Sequence, residues 1–73
     1  MSERIDELKK LANIAADMEL SGELRTKAID LLGNINTHEA LLVLLNLAAN
    51  EKLNVSDRDL ALKRAREIIK SGR

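Results

Sequence analysis

The chain has 73 residues, 45% of them hydrophobic and 33% charged, with twelve Lys and Arg balanced by twelve Asp and Glu. It contains no Cys, Pro, Phe, Tyr or Trp, which excludes disulfides, thiolate metal sites, thiol catalysis and aromatic stacking on bases. A chain this short forms one domain, and burial of its apolar surface exceeds chain entropy by only about 3–5 kcal/mol, so a partner would add to its stability.

A core of Leu, Ile, Val, Ala and Met suits helix-on-helix packing. The expected fold is all-α: one domain over 1–73, with helices near 3–20, 22–33, 37–50 and 57–71 arranged as two stacked antiparallel hairpins. Ser2 is placed to cap the first helix, and Ile5, Leu8, Leu11, Ala12, Ala15 and Met18 recur on one face, widened by Ile14. Ser21 caps the second helix and Glu23 falls in its first turn. The inward stripe there is Leu24, Ala28, Leu31, Leu32 and Ile35, and Gly33-Asn34 offers the left-handed geometry that ends a helix. Asn36 with Glu39 three residues on forms a capping box for the third helix.

That third helix is apolar almost all round from Ala40 to Ala49, leaving Asn46 and Asn50 as its polar strip, and should be covered on several sides. Ser56 and Asp59 mark the start of the fourth helix as an S-x-x-D cap, with Val55 able to staple onto Leu60. Ala61, Leu62, Ala65, Ile68 and Ile69 then face inward, and Lys63, Arg66, Glu67 and Lys70 outward, ending near Ser71-Gly72.

A period runs through this pattern. Arg25-x-x-Ala28 and Arg58-x-x-Ala61 stand 33 residues apart, each opening a helix, and Ile35 corresponds to Ile68 at the same step. The correspondence breaks at Leu31, which falls on Arg64, and at Gly33, which falls on Arg66.

The segment Leu24-Arg25-x-x-Ala28-x-x-Leu31-Leu32-Gly33-x-Ile35, followed by Glu39-Ala40-Leu41 and Leu44-Leu45, resembles the HEAT-like repeat of phycobilisome lyases and small prokaryotic scaffold proteins. The likeness covers about a third of the chain. It departs from the family pattern at Asn36-Thr37-His38 and Leu42-Val43, where a Gly-Asp and a proline are usual. The resemblance implies a helix-hairpin stack, as an α-solenoid fragment or a compact bundle, that serves macromolecular contact and has no shared active site.

Residues that could carry chemistry have simpler roles. His38 is the only histidine, beside Glu39 and with Asp30 on a neighbouring helix end, and it lacks the further ligands a metal needs. Ser2, Ser21, Ser56 and Ser71 all sit at helix ends, where capping accounts for the hydroxyl. The pairs Asp6/Glu7 and Asp17/Glu19 lie on the outward side of the first helix, where nothing desolvates a carboxylate for acid–base work. No catalytic, metal or cofactor residue is assigned, and the expectation is a non-enzyme.

Charge is unevenly placed. Residues 1–23 carry three Lys/Arg against six Asp/Glu, net −3, and residues 58–73 carry six against two, net +4. Such a split either draws the ends together within one molecule, joins chains head to tail, or is only solvated. Arg58, Lys63, Arg64, Arg66, Lys70 and Arg73 make the last helix basic, which is the alternative reading as a nucleic-acid-binding surface. The zero net charge argues against that reading.

Two helix pairs are fewer than the roughly three repeats such arrays need to cover their ends. The expected function is therefore a protein–protein interaction or scaffold module with a protein partner or as a homodimer. Its contacts are expected at Leu42, Leu45 and Ala49 on the third helix, with Arg64, Arg66 and Lys70 as a secondary polar surface. The longest apolar run is far short of the roughly 20 residues that span a bilayer. The opening MSERIDELKK lacks an apolar block, so the expectation is a soluble cytoplasmic chain with no leader.

Overall fold

Four helices form where the apolar residues recur at helical spacing: α1 (Ser2–Ala16), α2 (Gly22–Ile35), α3 (His38–Ala48) and α4 (Val55–Lys70). The structure is a computed structural model describing residues 2–71, with side chains from Asp6 onward. The Ser2 cap, Ile5 on the first apolar face, and Arg73 lie outside what is described.

The first helix ends at Ala16, four residues before its expected end, because Asp17 competes for the backbone. Its Oδ1 accepts from the Glu19 N–H at 2.9 Å, while the Asp17 N–H reaches back to Ile14 O and the Leu20 N–H bonds to Asp17 O. The same turn closes the third helix. Asn50 Oδ1 accepts from the Lys52 N–H at 3.0 Å, the Asn50 N–H donates to Leu47 O, and the Leu53 N–H to Asn50 O. Each atom set stands 33 residues from its counterpart. The caps Ser21 and Asn54 follow at the same step, then the first helical residues Gly22 and Val55. Arg25 and Arg58, each the fourth residue of its helix, both donate to a carbonyl of the preceding segment, at Leu20 (2.6 Å) and Ala48 (2.9 Å). The chain thus consists of two helix–turn–helix hairpins, α1/α2 and α3/α4, built on one turn.

Ser21 caps as expected, accepting from the Leu24 N–H at 3.2 Å. Three other expected boundaries fail. Gly33 does not end α2: the left-handed residue is Asn36 at φ 56°, and Gly33 is helical. Asn36 therefore does not cap α3; Thr37 does, accepting from the Ala40 N–H at 3.2 Å, which dissolves the expected capping box. Ser56 lies inside α4, whose cap is Asn54 without a side-chain bond, and Val55 is 71% exposed and staples nothing.

The hairpins stack so that α2 and α3 are central, each touching all three other helices. Among the described residues α1 and α4 do not meet, so the opposite charges of the chain ends are not paired helix to helix. The core is one cluster containing Leu8, Ala15, Ile29, Leu32, Leu44 and Ile68 among others, with Ile29, Leu32 and Leu44 completely inaccessible. Close contact at Ala15, Ala40, Ala61 and Ala65 lets the helices approach without aromatic filler.

Two polar links fix the register between hairpins. Arg25 Nε donates to Asp57 Oδ2 at 2.8 Å with both side chains buried, and the carboxylate sits in the first turn of α4, where the helix dipole favours it. Arg64 lies across the end of α2, donating through Nη2 to Asn34 Oδ1 (2.8 Å) and Asp30 O (3.3 Å), with Asp30 Oδ1 3.6 Å from Nη1. Its Nε is 3.2 Å from Glu67 Oε1 but misaligned for a hydrogen bond. A Cβ at Gly33 would stand 2.6 Å from Arg64 Nη2 and 2.7 Å from Cζ. Gly33 thus makes room for a guanidinium.

Candidate functional site

Several residues that the periodicity assigns to inward faces are exposed. Leu24 and Leu31 on α2, Leu62 and Ile69 on α4, and Ile14 and Met18 on and after α1 all lie at the surface. A helix can bury a stripe of limited width against its neighbours, and these side chains sit beyond it. They are not scattered. Val55, Leu62 and Ile69 recur at seven-residue steps and form one outward line along α4.

Leu24 and Leu31 are likewise seven residues apart on α2, 48% and 49% exposed. Leu31 opens into a cleft of about 440 Å³ between α1 and α2, lined by Glu7, Lys10, Leu11, Leu31, Asn34 and Ile35. Leu11 and Ile35 form its apolar floor, continuous with the core. Glu7 and Lys10 supply one charge of each sign. A smaller cleft of about 270 Å³ lies at the opposite end, between Ala48 of α3 and Val55, Arg58, Asp59 and Leu62 of α4.

The expected contact residues divide. Leu42 (49% exposed), Leu45 and Ala49 are all at the surface of α3, on the side its three neighbours leave open. Arg66 and Lys70 are also exposed, on α4. Arg64 is not free: it is half-buried and bonded to α2, so it belongs to the joint between hairpins and not to an outer surface. Arg58 is similarly tied to the Ala48 carbonyl. The basic face of α4 is thereby reduced to Lys63, Arg66 and Lys70 among the described residues.

His38 is exposed at the first turn of α3, and no group of three or more His, Cys, Asp or Glu side chains converges among the described residues. No helix of the described residues is long and apolar enough to cross a membrane. The buried Arg25–Asp57 pair had one sequence signal: at the 33-residue step Asp57 falls where Leu24 stands, a charge at an apolar position. The α1/α2 cleft had none, because Glu7, Lys10 and Asn34 read as ordinary solvated positions.

Comparison of the chain with protein-family models, with curated proteins and with solved structures found no match.

Proposed function

We propose that this chain is a small protein–protein interaction or scaffold module of the HEAT-like helical-repeat type, acting by surface contact and not by catalysis. The observation that carries the reading is that both hairpins of the stack hold open apolar side chains. Leu24 and Leu31 lie open beside the α1/α2 cleft, and Leu42, Leu45, Leu62 and Ile69 lie open on the second hairpin. Leucines held half-exposed on rigid helices lose little entropy on binding, and clustered apolar patches mark contact surfaces. The 33-residue period of turn, cap and arginine supports the repeat assignment, since each unit of such an array buries its faces only against a neighbour.

Affinity capture from the source cell with the wild-type chain and a Leu42→Asp/Leu45→Asp variant tests this reading. A discrete protein retained by the first and lost by the second is the expected result; identical captures contradict it. A nucleic-acid role is the competing reading, supported by the exposed Lys63, Arg66 and Lys70. It requires a mobility shift with mixed DNA and RNA at low salt, where phosphate contacts are strongest. With only three free cations on α4 among the described residues and a net charge of zero on the chain, no shift is expected.

A further inference from the structure

The 33-residue step maps the surface of one hairpin onto the other, and so states what the open cleft is equivalent to. Its lining residues Glu7, Lys10, Leu11, Leu31, Asn34 and Ile35 correspond to Ala40, Val43, Leu44, Arg64, Glu67 and Ile68. On the second hairpin that surface is closed except at its rim: Ala40, Leu44 and Ile68 are buried, Val43 is half-buried, Arg64 is bonded to Asp30 O and Asn34, and Glu67 alone is exposed. The helix that touches both α3 and α4 is α2. The counterpart of α2 one step on is α4. Its outward line, Leu62 and Ile69, corresponds to Ile29, which is fully buried in the stack, and to Asn36, which meets Ser71 just past the end of α4.

We propose that α4 of a second copy docks into the α1/α2 cleft, so that copies join head to tail in the register that joins the two hairpins within the chain. This deepens the protein-interaction reading above and rests on it. Charge favours this pairing over a symmetric one. Residues 1–23 are net −3 and residues 58–73 net +4, so the segment that carries the cleft and the segment that carries α4 attract, whereas two copies of α4 facing each other would set like charges together. Lys63 and Arg66 are exposed beside the incoming line, and the cleft offers Glu7 as their counter-charge with Lys10 one turn along α1. The glycine contact is replaced: within the chain Arg64 meets Gly33, and between copies the same two positions are Leu31 and Arg66, a leucine against the apolar stem of an arginine.

The ion pair is not repeated. Arg25 opposite Asp57 becomes Arg58 opposite Leu24, and Arg58 is already satisfied by the Ala48 carbonyl. Association between copies is therefore apolar and electrostatic without a buried lock, weaker than the joint inside the chain, and reversible. Because the two surfaces differ, a pair of copies keeps one of each open, and assembly continues past a dimer.

Sedimentation velocity over a wide concentration range tests this with the wild-type chain, a cleft variant, Leu31→Glu, and an α4 variant, Leu62→Glu/Ile69→Glu. All three positions are exposed, and circular dichroism checks that helicity is retained; Leu31→Ser and Leu62→Ser serve if either charged variant unfolds. The expected wild-type mass rises past that of a dimer with concentration and falls when salt is added. Each variant alone is expected to be monomeric, and an equimolar mixture of the two to form a dimer that grows no further. A wild-type dimer that both variants leave intact overturns the head-to-tail geometry, as does a mixture that stays monomeric. A wild-type monomer at every concentration overturns self-association. The capture experiment above reads the wider interaction role independently, through Leu42 and Leu45.

Discussion

In the first hairpin Leu24 and Leu31 stand half-exposed on α2; thirty-three residues on, the same positions are Asp57 and Arg64, and both are bonded to the first hairpin. From the Asx turns at Asp17 and Asn50 into the first turns of α2 and α4 the two units share one backbone frame. The side chains at two sites of that shared frame decide which surface is closed inside the molecule and which is left open. The shared turn and helix start fix the frame, and the different side chains at these two positions give the inner joint a polar lock and leave Leu24 and Leu31 open.

Breaking the lock should have the largest effect. Asp57→Ala leaves Arg25 buried without its partner, a cost of about 3–5 kcal/mol, comparable with the whole margin of about 3–5 kcal/mol for a chain of this size. Urea denaturation should then show a protein largely unfolded without denaturant, while Arg25→Met/Asp57→Leu should recover most of the stability. A single Asp57→Ala variant within about 1 kcal/mol of wild type would remove the pair from the account.

Two adjacent leucines on α2 differ in the same way. Leu32 is completely buried and Leu31 half-exposed. Leu32→Ala should cost about 2–5 kcal/mol through the cavity it leaves, and Leu31→Ala within about 0.5 kcal/mol of nothing in the monomer. Thermal unfolding of the two variants side by side reads the difference.

Smaller effects separate the two caps. Ser21 accepts a hydrogen bond from Leu24 N–H, whereas Asn54 makes no side-chain cap bond. Ser21→Ala should therefore cost about 1 kcal/mol and Asn54→Ala measurably less by the same denaturation assay. At Gly33, alanine raises helix propensity by about 1 kcal/mol but displaces Arg64 from Asn34 and Asp30. Gly33→Ala should stabilise an Arg64→Ala background and fail to stabilise the wild type; equal gains in both would mean that the glycine does not accommodate the guanidinium.

Much of this architecture is readable in the order of residues. The number of helices, the Ser21 cap and the 33-residue step follow from apolar spacing and from short-range hydrogen-bonding chemistry, which act within a few residues of one another. The boundaries that misread did so where two local candidates competed and a distant contact chose between them. Asn54 and Ser56 are both acceptable caps. The earlier one starts α4 so that Asp57 falls in the first turn beside Arg25, a partner 32 residues away. Gly33-Asn34 has the composition of a helix stop, yet the glycine is small for the sake of Arg64, 31 positions further along.

The outer surfaces were legible only in part. Leu42 and Leu45 stand out because α3 is apolar all round, while Leu24, Leu31, Leu62 and Ile69 look like core residues until the stack shows how narrow the buried stripe is. Their exposure is a tertiary fact. The cleft on one hairpin matches a surface that is largely closed on the other.

The most direct measurement uses the absence of cysteine from the chain. Arg66→Cys and Leu31→Cys variants, mixed in equal amounts under mild oxidation, place one thiol on the incoming helix and one on the receiving cleft. Head-to-tail docking in the intrachain register should give the mixed 66–31 cross-link in excess over both homodimeric products. Homodimeric products alone, or all three in statistical proportion, would contradict it.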